Sequence, residues 1–120
     1  MTPVASVLDW TRGGHGIAYQ SCAACGNRWY FRRDFCPRCG AGAPTQLQAS
    51  GLGTIHAATL VNRAPSEVLR AHAPYSIVLV DADEGFRLMA HAATHLGIGA
   101  RVRCRFVSFG STLIPFFEAA

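Results

Sequence analysis

Two five-residue motifs, Cys22-Ala23-Ala24-Cys25-Gly26 and Cys36-Pro37-Arg38-Cys39-Gly40, constrain this chain more than any other feature. Two residues between the cysteines let both sulfurs of a pair face one ion about 2.3 Å away. The glycine after the second cysteine can take φ > 0, which turns the chain and frees N–H groups to point at the sulfurs. Two such pairs predict the knuckles of a tetrahedral zinc site with Cys22, Cys25, Cys36 and Cys39 as its ligands. Four protein sulfurs close such a site, so a structural metal is expected rather than a catalytic one.

The remaining composition agrees with a metal. The fifth cysteine, Cys104, has no obvious partner, and in a reducing compartment paired Cys-x-x-Cys motifs read as metal ligands rather than disulfides. Iron is the variant to exclude, because similar knuckles serve both metals; a colourless protein excludes it. With 120 residues, half of them hydrophobic, the chain is one ordinary domain or a small domain with a metal-stapled appendage. No apolar run approaches 18 residues, and Met1–Ser6 lacks the basic start and apolar segment of a secretory signal. The expected location is the cytoplasm, with no membrane partner. The formal charge is +4; four thiolates subtract four and a divalent ion adds two, which leaves about +2. That is a weak argument for nucleic acid, which is not the expected partner. All the basic residues are arginines, suited to forked recognition of phosphate or carboxylate.

Three segments follow in order: an N-terminal helical segment (1–14), a zinc ribbon (15–44) and a barrel domain (45–120). Residues 3–12 read as a short helix, with Val4, Val7 and Leu8 on one face, ended by Gly13-Gly14-His15-Gly16. Ile17–Gln20 reads as a strand entering the first knuckle and Trp29–Phe31 as the strand leaving it. The ribbon is too small to bury a core, so the metal must supply its folding energy. Ala41–Thr45 is a turn-rich connector. Beyond it, strand patterns cover Gly53–Val61, Tyr75–Val80, Phe86–His91, Arg101–Phe109 and Leu113–Phe117. Ser76–Val80 is apolar on both faces, as for a strand buried centrally. Asp83-Glu84-Gly85 marks a hairpin turn and Glu67–Arg70 one helical turn. The fold class is mainly β: a short helix and zinc ribbon, then a five-stranded OB-type Greek-key barrel.

Two further signals have bland and functional readings. Arg101, Arg103 and Arg105 alternate with Val102, Cys104 and Phe106, which puts three guanidinium groups on one strand face. They form either a phosphate-binding stripe or a solvated face paired with neighbouring acids; the second is the simpler reading. Trp29-Tyr30-Phe31 is either packing surface or a base-stacking platform. His15, His56, His72, His91 and His95 are scattered, and no nucleophile–base arrangement is legible.

The order of these motifs resembles the DUF35 family, acyl-CoA-associated proteins built from a rubredoxin-like zinc ribbon and an OB-fold. The segments that carry the resemblance are His15–Cys22, both knuckles, Ser50-Gly51-Leu52-Gly53-Thr54-Ile55, Arg63-Ala64-Pro65, Pro74–Val80, Asp83–Met89, Ile98–Val102 and Pro115-Phe116. Together they span about residues 15 to 118. Phe31-Arg32-Arg33 departs from relatives, which often carry prolines before the second pair. The resemblance implies a non-catalytic accessory subunit of a thiolase-superfamily enzyme (thiolase, aldolase or acyltransferase). Such a subunit docks on its enzyme and helps form or cover the acyl-CoA site. It implies structural zinc, and CoA or acyl-CoA at a shared interface with Arg32, Arg33 and Arg63 as candidate phosphate contacts. The alternative is a single-stranded nucleic-acid-binding module on the same fold.

Overall fold

A computed structural model of the chain describes residues 9–12, 14–63, 66–71, 73–109 and 111–120. Most of the expected N-terminal helix, including Val4, Val7 and Leu8, lies outside the described residues. Inside them, Trp10–Arg12 forms one 3-10 turn. Among the described residues no helix is long and apolar enough to cross a membrane.

The first layer is a three-stranded antiparallel sheet of β1 (Ala18–Ser21), β2 (Arg28–Trp29) and β3 (Thr45–Gln48), in the order β2-β1-β3. β2 is shorter than the Trp29–Phe31 pattern suggests, because the chain turns away at Tyr30. β3 has no strand signature of its own, since Leu47 is its one large apolar residue. It pairs with β1 from Ala18↔Gln48 to Ser21↔Thr45, so cross-strand pairing decides its state where propensity does not.

The second unit is a closed barrel of β4 (Leu52–Val61), β5 (Tyr75–Ala82), β6 (Arg87–Ala92), β7 (Arg101–Phe109) and β8 (Thr112–Ala119), in the order β4-β5-β6-β8-β7. β4 also pairs with β7, which closes the cylinder and leaves no open edge. This is the expected five-stranded OB-type barrel. One helical turn, α1 (Glu67–Arg70), lies in the β4–β5 connection.

The alternation of β5 puts Val78 and Val80 fully inside, with Ile55, Val102 and Phe117 as the other completely buried side chains. Ser76–Val80 is not buried on both faces, as its apolar run suggests. Ile77 and Leu79 point outward and are only half-buried, because a barrel strand has one interior. Gly53 lets β4 and β5 close up: a Cβ there would lie 2.6 Å from Val80 Cγ1 and 2.7 Å from the Asp81 carbonyl oxygen. A one-residue irregularity between Ile55 and Ala57 then bends β4.

The sheet and the barrel share one core. Ile17 and Tyr19 belong to the same buried cluster as the barrel interior. Tyr19 stacks on Phe86 at 4.9 Å between centroids, and Tyr30 lies parallel to the same ring at 6.0 Å. Glu84, in the β5–β6 turn, ties the two units: its carboxylate accepts from the Ser50 N–H at 2.8 Å and its carbonyl from Arg28 Nη1 at 2.5 Å.

Candidate metal centre

The two knuckles fold identically. In each, the first cysteine's N–H donates to the carbonyl five residues on (Cys22 to Asn27, 2.8 Å; Cys36 to Ala41, 2.9 Å). The closing glycine's N–H returns to the first cysteine's carbonyl (Gly26 to Cys22, 2.8 Å; Gly40 to Cys36, 2.9 Å). Gly26 and Gly40 take φ of 77° and 79°, the left-handed conformation the motifs anticipate.

These turns bring all four sulfurs within 4.8 Å of one another. Cys22 Sγ lies 3.5 Å from Cys39 Sγ, and Cys25 Sγ lies 3.6 Å from Cys36 Sγ. A regular tetrahedron with metal–sulfur bonds of about 2.3 Å has edges of about 3.8 Å. The donor set therefore fits a single zinc-sized ion. Cys22 and Cys36 are buried and Cys25 and Cys39 exposed, so the site lies at the surface of the ribbon tip.

The thiol electrostatics point the same way. Burial raises the Cys36 thiol, but the amides of Cys39 and Arg38 outweigh it and bring it down to about 6. The Cys25 amide, acting against burial, lowers Cys22. Cys39 is the converse: the Ala41 amide lowers it, yet the neighbouring Cys22, Cys25 and Cys36 thiols carry it up to about 12. Four sulfurs this close resist becoming four thiolates together; a bound divalent cation removes that conflict. With every position of the tetrahedron filled by protein sulfur, an ion held here would supply folding energy and leave no open site for substrate.

Gln20, silent in the sequence, organises the loop between the knuckles. Its buried amide accepts from Trp29 Nε1 at 2.7 Å and from the Arg33 N–H at 2.6 Å, and donates to the Arg33 carbonyl at 3.0 Å. Its place in an alternating strand pattern gave no hint of this. Cys104 is half-buried, and burial pushes its thiol up to about 11, which suits a core residue.

The candidate arginines divide. Arg32 and Arg33 sit together, exposed, between the knuckles. Arg63 follows the end of β4 away from the Glu84 turn that ties the barrel to the ribbon. In the β7 row Arg101 pairs bidentately with Asp83 at 2.7 and 2.9 Å and Arg105 with Glu118 at 2.9 Å, while the exposed Arg103 between them has no carboxylate within ion-pair distance among the described residues. Their neighbour Arg87 is paired with Asp81 at 2.6 Å. Hydrogen bonds from Arg87 and Arg101 hold the Asp81 and Asp83 carboxyls below the ordinary carboxylate range, against a smaller opposing effect of burial. His91 and His95 line a separate cleft of about 390 Å³ with Tyr75 and Phe116.

The family model for the C-terminal OB-fold domain of ChsH2 matches residues 46–107, from β3 into β7. The chain belongs to the DUF35 family. A DUF35 domain-containing scaffold protein of Methanothermobacter thermautotrophicus is 32% identical over 75 residues, 62% of this chain and 56% of that protein. This DUF35 chain thus matches little more than half the length of that relative. Among solved structures, the Ltp2-ChsH2(DUF35) aldolase superposes with a TM-score of 0.72 at 24% identity, covering 85% of this chain and 83% of the other. A DUF35 protein of unknown function from Sulfolobus solfataricus gives 0.59 at 16% identity, covering 88% and 76%. Both likenesses are likenesses of fold.

Proposed function

We propose that this chain is a zinc-bound, non-catalytic accessory subunit that docks on a thiolase-like enzyme and helps form or cover its acyl-CoA site. The observation that carries the reading is how the chain uses its chemically capable groups. Four of its five cysteine sulfurs are gathered into one closed tetrahedral set. Three of the four arginines on the barrel strands, Arg87, Arg101 and Arg105, are neutralised by carboxylates, and Arg103 is the exception among the described residues. What remains exposed includes apolar side chains, Phe31 and Met89 among them, beside arginines at the ribbon with no carboxylate within ion-pair distance. Such a surface suits docking. The scaffold name of the archaeal relative and the joint name of the Ltp2-ChsH2(DUF35) aldolase support carrying a partner-enzyme role to this chain.

In this role Cys22, Cys25, Cys36 and Cys39 hold zinc and so fix the ribbon tip. Gln20 orients Arg33 through its main chain and leaves the Arg32 and Arg33 side chains in solvent, where they can pair with CoA phosphates at an interface. Arg63, beyond the other end of β4, is a candidate for a further phosphate contact. Affinity purification of the tagged chain from its native source, with mass spectrometry of stoichiometric partners, tests the reading. A thiolase-superfamily chain is expected, with acyl-CoA bound by the complex and not by the isolated chain. Acyl-CoA turnover by the isolated chain at enzyme-like rates would sink the proposal.

A further inference from the structure

We infer that one continuous apolar face, running from the ribbon groove onto the outer surface of β5 and β6, is where a polypeptide docks, and that this polypeptide surrounds its apolar anchors with carboxylates. The inference rests on the accessory-subunit reading and names the surface that role would use.

The groove encloses about 410 Å³ between the 3-10 turn, the inter-knuckle loop and β6. Trp10, Tyr30, Phe31 and Met89 line it. Trp10 Nε1 donates to the Tyr30 hydroxyl at 2.8 Å, which holds both rings in place. Phe31 is 76% exposed and Met89 65%. A single exposed apolar side chain is ordinary in a folded protein; a connected set is not. The connection follows from register. Met89 lies directly opposite Leu79, so the two share a face, and Ile77, two residues from Leu79, lies on it too. These are the outward positions at which the apolar β5 run exceeds what one interior needs.

Charge selects the occupant. On the barrel, Arg87, Arg101 and Arg105 each have a carboxylate. Arg12 and Arg32 border the groove with none within ion-pair distance among the described residues. The residues outside the described set contain no acid that could supply one. The groove's own carboxylate, Asp9, is held by its own segment, accepting from the Ala18 N–H at 2.9 Å, from the Thr11 N–H at 3.1 Å and from the Thr11 hydroxyl, so the lining carries two arginines against one carboxylate. An apolar floor with a net basic rim calls for apolar anchors with an acidic surround. A second copy docked through the same face would bring like arginines together. A nucleic acid would meet Leu79, Ile77 and Met89 on β5 and β6, where the one arginine, Arg87, is tied to Asp81.

The test uses the full chain and the enzyme that purifies with it, with Kd measured by biolayer interferometry at low and high salt. Phe31→Ser and Met89→Ser are each expected to weaken binding by roughly 10- to 100-fold, the range of interface anchors. Arg32→Glu should weaken it and flatten its salt dependence, while Ile98→Ser, in the β6–β7 loop, should leave Kd within about twofold of wild type. All four positions are exposed, and an unchanged melting temperature confirms that the fold is intact. Undiminished binding of a thiolase-like chain by the Phe31 and Met89 variants overturns this surface and leaves the accessory role standing. Loss of binding to a chain of another class keeps the surface and overturns the accessory role. A homodimer dissolved by Phe31→Ser, or no bound protein at either salt, overturns the docking inference.

Discussion

The knuckle tip and the barrel are built on opposite principles within one short chain. The barrel buries Ile55, Val78, Val80, Val102 and Phe117 completely and closes its own edges. The tip buries only Trp29 and two cysteine side chains, with Ala41 packed alongside. Apolar burial thus accounts for the barrel and cannot account for the tip, where metal–sulfur bonds would supply the missing order. Metal dependence is therefore expected to be local, even though the base of the ribbon shares the barrel's core.

The largest effect that could break this contrast is metal loss. Cys36→Ser, or chelation of the wild type, should abolish stoichiometric zinc and strip amide-exchange protection from residues 22–41, while Val78 and Val80 stay protected. A tip that stays protected without metal would end the contrast. Next, Phe117→Ala removes a fully buried ring and should cost about 3–5 kcal/mol in denaturant unfolding, with zinc content unchanged in the folded fraction. Gln20→Leu sharpens the boundary between the two regimes. It leaves the Trp29 indole N–H and the Arg33 N–H unpaired and should cost about 1–3 kcal/mol, with chelation becoming easier. Gly53→Ala should cost about 1–3 kcal/mol by forcing β4 away from β5, again without touching the metal.

The smallest effect is electrostatic. The Asp83 carboxyl is held below its ordinary value by Arg101, so the pair contributes fully above about pH 4, the ordinary aspartate value. The contribution is lost as pH falls through the lower folded value. Asp83→Asn should therefore change the melting temperature slightly at pH 7 and not at all in strong acid. Both side chains are about half exposed, so added salt should erase most of the difference.

What could be read from the sequence follows from the range of each interaction. The cysteine site was legible because its geometry is local: two residues and a glycine set each knuckle. The five barrel strands were legible because alternation survives in each. β3 was not, since Thr45–Gln48 is mostly polar and becomes a strand only through β1. Gln20 was hidden for the same reason, as its partners Trp29 and Arg33 arrive through folding. The separation of Arg63 from Arg32 and Arg33 depends on which end of β4 meets the ribbon, and no local pattern carries that. The outward apolar positions had a faint signal: Met89 occupies a place in β6 where its alternating neighbours Arg87 and His91 are polar.

The order in which the barrel strands meet has a consequence during synthesis. β8 (Thr112–Ala119) is inserted between β6 and β7, and it touches β6 through just two register pairs, His91↔Phe116 and Ala92↔Phe117. A nascent chain that has not yet released Thr112–Ala119 from the ribosome presents β6 and β7 as two raw edges, one of them beside exposed Met89. Ribosome-stalled intermediates that lack β8 should therefore be the species that chaperones hold, and pairing of that eight-residue strand is what sets them free.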